Sequence, residues 1–229
     1  FFFKQKTAYE IVSRDWSSDV CSSDLWIGDE TKRPDKFIRS WSKMNPEYRC
    51  ALWGNKELNE RKWATKNAIE KWMPREICGA ADVMRWEILH KYGGIAVDAD
   101  SVCVRPLEDW LLEPDFFSVW ENEIARPGLI ATGAMGAIKG HPFIGKIIDS
   151  IVNDPDPLSG MAWEKVGPLK LTDMVKSNSY TGITIYPSHF FIPSHFTGVK
   201  FDGTSQVFAK QAWASTNDSY GDLDAKNIV

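Results

Sequence analysis

The chain has 229 residues, with 27 Lys and Arg against 31 Asp and Glu, giving a formal charge of −4. That length suits one domain, or one domain with a small lobe, and the acidic balance argues against nucleic acid as a partner. No apolar run approaches the ~20 residues that a bilayer crossing needs, so no transmembrane segment is expected. The four cysteines, Cys21, Cys50, Cys78 and Cys103, show no CxxC spacing and are expected as free thiols. The chain accordingly reads as cytoplasmic, working peripherally at the inner membrane face.

Residues 1–25 stand apart. They have no sustained helical or strand period, and Ser and Asp crowd their second half. The segment resembles a translated sequencing-adapter read-through and is set aside as non-native, leaving residues 26–229 as the domain. On that reading a first strand is truncated just before Leu25-Trp26-Ile27-Gly28. A helix is expected from Pro34-Asp35 to Lys43, with Phe37, Ile38, Trp41 and Met44 on one face. A strand follows over Tyr48–Trp53, then short helices over Glu57–Trp63 and Ala68–Trp72.

Gly79 to Tyr92 is the clearest helix, closed by Gly93. Ile95–Asp98 is expected as a central strand, with Phe116–Glu121 and Gly133–Ile138 as further ones. Gly133 and Gly136 would permit close backbone approach. Helices are expected over Pro142–Val152 and from Gly167-Pro168 to Val175, and a short strand over Ile183–Tyr186. Strands alternating with helices predict an α/β domain with a mostly parallel sheet flanked by helices.

Chemistry concentrates in Lys91-Tyr-Gly-Gly-Ile-Ala-Val-Asp-Ala-Asp100. On an extended backbone Asp98 and Asp100 point to one side, about 6–7 Å apart. Paired carboxylates at a strand end suit a hard divalent cation, Mn²⁺ or Mg²⁺, whose other positions go to water and substrate phosphate. The preceding helix adds a second signal. Ala81, Met84, Trp86, Ile88 and Leu89 span an apolar arc, with Glu87 and Lys91 opposite in solvent. Asp82 and Arg85 fall inside the arc, where a charge must be paired or functional. They form either an ion pair three residues apart or one wall of a polar cavity that binds sugar hydroxyls. His90, His141, His189 and His195 are scattered and read as structural or surface residues.

The order Ala81-Asp82-x-x-Arg85-Trp86-x-x-Leu89-x-x-Tyr92-Gly93-Gly94-Ile95-x-x-Asp98-x-Asp100 resembles the DXD-containing sugar-transferase family. That family includes initiating α-1,6-mannosyltransferases and capsular-polysaccharide transferases. The resemblance implies a GT-A fold, a nucleotide-diphospho-sugar donor (UDP- or GDP-hexose), a divalent cation, a glycan or lipid-linked acceptor and retention of anomeric configuration. It implies that Asp100 binds the metal directly, and that Asp98 supports the metal and holds the ribose or donor sugar. Asp82 and Arg85 would hold donor-sugar hydroxyls, and Trp26 would sit near the nucleobase.

Near the C-terminus many relatives carry a His-x-Trp-x-x-Ser-Trp-like element, where this chain has Gln211-Ala-Trp-Ala-Ser-Thr-Asn217. Trp213 and Ser215 would be its remnant, and the His is absent. Two other readings stand beside glycosyl transfer. In a glycoside hydrolase the carboxylates would flank a glycosidic bond. A non-catalytic sugar- or nucleotide-binding module would turn nothing over.

Overall fold

A computed structural model describes residues 24–223. The segment set apart by the sequence lies outside the described residues except for Asp24 and Leu25, which form strand β1. In chain order there follow α1 (Asp35–Met44), β2 (Leu52–Trp53), α2 (Asn55–Glu60), α3 (Lys66–Trp72), α4 (Ile77–Tyr92), β3 (Gly94–Asp98) and β4 (Ser101–Cys103). Then come β5 (Phe116–Asn122), β6 (Arg126–Ile130), β7 (Ala134–Ala137), α5 (Pro142–Val152), α6 (Ala162–Lys165) and α7 (Pro168–Ser177). The chain closes with β8 (Thr184–Tyr186), β9 (Ala209–Gln211), α8 (Ala214–Asn217) and α9 (Tyr220–Leu223).

The main sheet runs β2-β1-β3-β7-β5-β6, with β8 also paired to β5. It is mixed, where a mostly parallel sheet was expected. β1 lies parallel to β2 and β3, and β8 parallel to β5, but the pairs β3–β7, β7–β5 and β5–β6 are antiparallel. The cause is local. Asn122 Oδ1 accepts the N–H groups of Ile124 and Ala125 at 3.0 and 2.7 Å, turning β5 back on itself as a hairpin. A connection that short cannot make the crossover a parallel pair needs. β6 was not foreseen, because Pro127 and Gly128 interrupt its pattern; at a sheet edge both are tolerated.

Helices pack on one face of the sheet around Met84, Trp86, Ile88 and Leu89 of α4 together with Ile144 and Ile147 of α5. The other face carries Trp41, Phe117, Phe190, Phe191 and Phe208. α4 ends where expected, at Gly93, with φ +71°. A side chain there would also meet the Lys139 amide at 2.7 Å. Glu87 departs from expectation. It is buried, and it accepts hydrogen bonds from the N–H groups of Ala64 and Thr65 and from the Thr65 hydroxyl at 2.7–2.9 Å. Two backbone donors just before α3 thereby find a carboxylate partner, which accounts for a charge facing inward.

Candidate active site

α4 delivers Asp82 and Arg85 beneath the sheet, and β3 ends directly above them. Arg85 is buried, donates to the Thr132 carbonyl and forms an ion pair with Asp98. Its Nε stands 3.8 Å from Asp82 Oδ1, beyond hydrogen-bond length, and has no hydrogen-bond partner among the described residues. The ion pair anticipated three residues apart on the helix is present at 3.8 Å, and Arg85 also bridges from helix to strand through Asp98. Asp100 lies in a tight turn after β3, so convergence with Asp98 comes from the turn and not from an extended backbone. Gln211 Nε2 donates to both carboxylates, 3.1 Å to Asp98 Oδ2 and 2.7 Å to Asp100 Oδ1. The Ala214 N–H donates to Asp100 Oδ2 at 2.6 Å.

Two glycines keep the carboxylates uncovered. A methyl group at Gly133 would come within 2.6 Å of Asp98 Oδ2, and one at Gly167 within 2.8 Å of Asp82 Oδ2. Burial, with the charge of Asp98 adding to it, pushes the Asp100 carboxyl up to about 7. Burial likewise raises Asp82 to about 7, against the opposing pull of Arg85. Burial works against the Arg85 charge too, but Asp98, Asp82 and Asp100 outweigh it and hold the guanidinium above its ordinary range. The result is one fixed cation among three carboxylates, two of them ionised at a cost.

Residues 31–117 match the sequence profile of the glycosyltransferase sugar-binding region containing the DXD motif. Over that stretch the chain is similar to the DXD glycosyltransferases. It is 28% identical over 147 residues to inositol phosphoceramide mannosyltransferase 3 of Schizosaccharomyces pombe, covering 62% of this chain and 36% of that one. To the initiation-specific α-1,6-mannosyltransferase of Candida albicans it is 29% identical over 105 residues, 43% of this chain and 26% of the other. The chain spans about a third of the length of the curated relatives it matches. Among solved structures it is similar to the PaToxG glycosyltransferase, with a TM-score of 0.53, 15% identity, and 69% and 70% of the two chains covered. It is also similar to a glycosyltransferase involved in glycosylation of the major capsid of PBCV-1, with a TM-score of 0.52, 11% identity, and 90% and 99% covered. The fold is therefore of the GT-A type.

The remaining expected site residues are distributed unevenly. Trp26 is buried, donates from Nε1 to the Asp29 carbonyl at 3.2 Å, and meets the Tyr220 ring edge-on at 4.7 Å. Its indole is therefore part of the packing, covered from the C-terminal side. Trp213 and Ser215 flank Ala214, but neither side chain is directed at the carboxylates. Trp213 donates to the Ser194 carbonyl at 2.7 Å and packs on His195 and Phe196. Ser215 is exposed and hydrogen-bonds Tyr220.

The residue bridging the two carboxylates that the sequence reading missed is Gln211. Its signal was positional, since it stands where the His of the C-terminal element was expected. Of the histidines, His195 is buried with Nε2 3.3 Å from Glu121 Oε1, and His189 is buried with Nε2 2.7 Å from the Ser205 hydroxyl.

DXD glycosyltransferases generally imply a divalent cation. Among the described residues no group of three or more His, Cys, Asp or Glu is placed to hold a metal ion; the carboxylates that share a partner are Asp98 and Asp100. That number of carboxylates matches what Mg²⁺ takes from protein when substrate phosphate fills other positions. Both carboxylates turn an oxygen toward one point, where the Gln211 amide N–H group now satisfies them. The donor set therefore fits a hard cation.

Proposed function

We propose that this chain moves a hexose from a UDP- or GDP-linked donor to a hydroxyl of a glycan or lipid-linked acceptor, with retention of configuration and dependence on a divalent cation. Surface polysaccharide synthesis at the cytoplasmic face of the inner membrane is the setting we infer. The observation that carries the reading is the convergence of Asp82, Arg85, Asp98 and Asp100 at the end of β3, with Gln211 across both DXD carboxylates. The mannosyl transfer in the names of the curated relatives favours mannose as the hexose.

Each residue then has a distinct task. Asp82 offers acceptor oxygens and Arg85 Nε an unused donor, the pairing that a sugar hydroxyl satisfies from both sides. Asp98 is oriented by Arg85 and holds the ribose or donor sugar. Asp98 and Asp100 would hold the cation, which when bound neutralises diphosphate charge as the sugar–phosphate bond breaks. Because Arg85 and the carboxylates are already fixed by burial, little reorganisation remains for the moment of transfer.

The test is a panel of UDP- and GDP-sugars with Mn²⁺, read as nucleotide release. At least one donor should turn over, release should stop with EDTA, and the product anomer should match the donor's. No release from any donor would leave the binding-module reading in place. Release indifferent to EDTA would remove the cation from the scheme.

A further inference from the structure

A depression between the α2–α3 connection and the C-terminal half of α4 collects positive charge. Arg61, Lys62 and Lys91 line it together, and all three residues are exposed. Lys91 stands six residues past Arg85, about 9 Å further along α4 and turned by about 120° from it. The depression is therefore separate from the candidate active site. Other exposed basic residues of the chain, such as Lys66, Arg75 and Arg105, pair with a carboxylate close in sequence. Arg61, Lys62 and Lys91 form no such ion pair among the described residues.

The lining is aromatic and well anchored. Trp53 is buried, with the Trp63 and Tyr92 rings 6.0 and 5.3 Å from it. Trp63 is fixed by donation from Nε1 to the Glu57 and Leu58 carbonyls at 3.2 and 3.1 Å. Arg61 lies over these rings, its guanidinium carbon 4.3 Å from the Trp53 centroid, and its Nη1 donates to the Tyr92 hydroxyl at 2.8 Å. The ring contact and this one bond hold the guanidinium in place, and its other N–H groups have no partner among the described residues. The carboxylate among the lining residues is Glu87, whose oxygens are already taken by Ala64 and Thr65. With Glu87 counted against the three cations, the lining keeps a formal charge of +2.

We propose that this depression binds a phosphate monoester, held by Arg61, Lys62 and Lys91 at a distance from the DXD carboxylates. Such a group carries about −1.5 to −2 at pH 7 and presents three acceptor oxygens. That matches both the charge of the lining and its number of cations. Arg61 supplies a preset fork, and the two lysines supply point charges on flexible stems. A carboxylate has less charge and fewer oxygens, and leaves part of the set unmet. The depression encloses about 200 Å³, against roughly 300–1,000 Å³ for a site that holds a whole small molecule. It therefore takes a head group and leaves the rest of the ligand outside. That chemistry is shared by a lipid head group at a membrane surface and by a free phosphate ester. The assignment stands independently of glycosyl transfer.

The test uses the full chain in EDTA, so that no cation bridges phosphate to Asp98 and Asp100. Glycerol 3-phosphate, glycerol and acetate are titrated by calorimetry. In parallel the protein is sedimented with phosphatidylcholine vesicles, with and without phosphatidic acid. Glycerol 3-phosphate should bind, glycerol should not, and acetate should bind at least about tenfold more weakly. Lys62→Gln combined with Lys91→Gln, both exposed, should weaken the phosphate ester by at least about tenfold with an unchanged melting temperature. Arg61→Lys, which keeps the charge and loses the planar fork, should weaken it by at least about fivefold. Retention on phosphatidic acid vesicles alone, lost in the double glutamine variant, assigns the site to a lipid head group. Binding of the free ester without retention on vesicles assigns it to a soluble one. No binding in either form overturns the proposal, as does acetate bound as tightly as the phosphate. So does affinity or retention that survives the double glutamine variant.

Discussion

Residues 77–100 and residues 209–223 both end at the same two carboxylates, but they are held there by different forces. The first stretch is α4 running straight into β3. Val83, Met84, Trp86, Ile88 and Leu89 lie in the core, and β3 is flanked by β1 and β7. Its position is set chiefly by that burial and strand pairing, with the Arg85–Asp98 pair as one further tie. The second stretch is an arm. β9 pairs with the three residues of β4, and the arm then touches the site through Gln211 and Ala214. Trp213 sits in the left-handed region at φ 56°, a strained place for a bulky residue, and residues 215–218 are exposed. The core therefore preorganises one half of the site, while the charges of the site help to hold the other half. A ligand that takes over those charges must change how the arm is held.

The sharpest way to break that contrast is Asp100→Asn. It removes a charge and one of two acceptor oxygens without changing volume, so either Gln211 or Ala214 loses its partner. Transfer should fall by more than about a thousandfold, near 4 kcal/mol of transition-state stabilisation. Limited proteolysis should cut more readily within 209–223, with 77–100 as resistant as before. Normal turnover would remove Asp100 from the metal role, and an arm no easier to cut would show that it is held without the site.

Arg85→Lys tests the preorganised half. The planar fork that joins Thr132 and Asp98 cannot be copied by an ammonium. Sugar transfer is expected to drop by more than about a hundredfold, ~2.7 kcal/mol, while free-nucleotide affinity stays within about threefold. Measuring both decides it, since equal loss of affinity and rate would mean that Arg85 does not act on the sugar.

How far the two stretches could be read in advance follows the same division. Helix α4, Gly93 and β3 were legible because burial writes a 3.6-residue period, a glycine stop and an apolar run directly into the sequence. Asp82 and Arg85 betrayed themselves as charges inside that period. Glu87 did too little to be noticed, because its partners are backbone N–H groups more than twenty residues away. The arm left no such mark. Ala209–Gln211 pairs with only three residues, α8 has four, and neither has a period long enough to see. The parallel sheet was over-read because hairpin chemistry at Asn122 is local and side-chain specific, invisible to an alternation of strands and helices.

Trp26→Ala bears on the place where the arm touches the start of the domain, Tyr220 against Trp26. A stacking platform would show itself as lost donor affinity. The burial of the indole and the edge-on cover by Tyr220 lead to a different expectation, a loss of about 3 kcal/mol in stability with donor affinity changed less than about threefold. Thermal melts beside a donor titration separate the two outcomes, and a tenfold affinity loss without a melting change would return Trp26 to the base site.

Gln211→Ala asks what the arm contributes to the cation. Turning the amide over would present its oxygen, a suitable ligand for a hard cation, to the point both carboxylates face. Without it, the Mn²⁺ concentration for half-maximal thermal stabilisation should rise about tenfold, ~1.4 kcal/mol. An unchanged midpoint would confine Gln211 to holding the arm in the metal-free state.

The smallest effect concerns the cost of the preorganised half, and Asp82→Asn isolates it. Burial holds the Asp82 carboxyl at about 7 in the folded chain, against about 4 in an unfolded one. The folded state therefore keeps a proton that the unfolded state releases. The stability from that proton is complete below about pH 4 and is lost as the pH rises toward about 7. Asparagine is neutral throughout and fills the same volume, so it escapes the loss. Metal-free Asp82→Asn should melt with the wild type at about pH 4 and above it at about pH 8, by roughly 3 °C or more for a chain of this size. The sign is the informative part. If Arg85 compensated Asp82 fully, the variant would be the less stable protein at pH 8, and the helix pair would be scaffold. A variant that gains stability at pH 8 while losing transfer would show a carboxylate kept charged in a place that disfavours it, which packing alone does not explain.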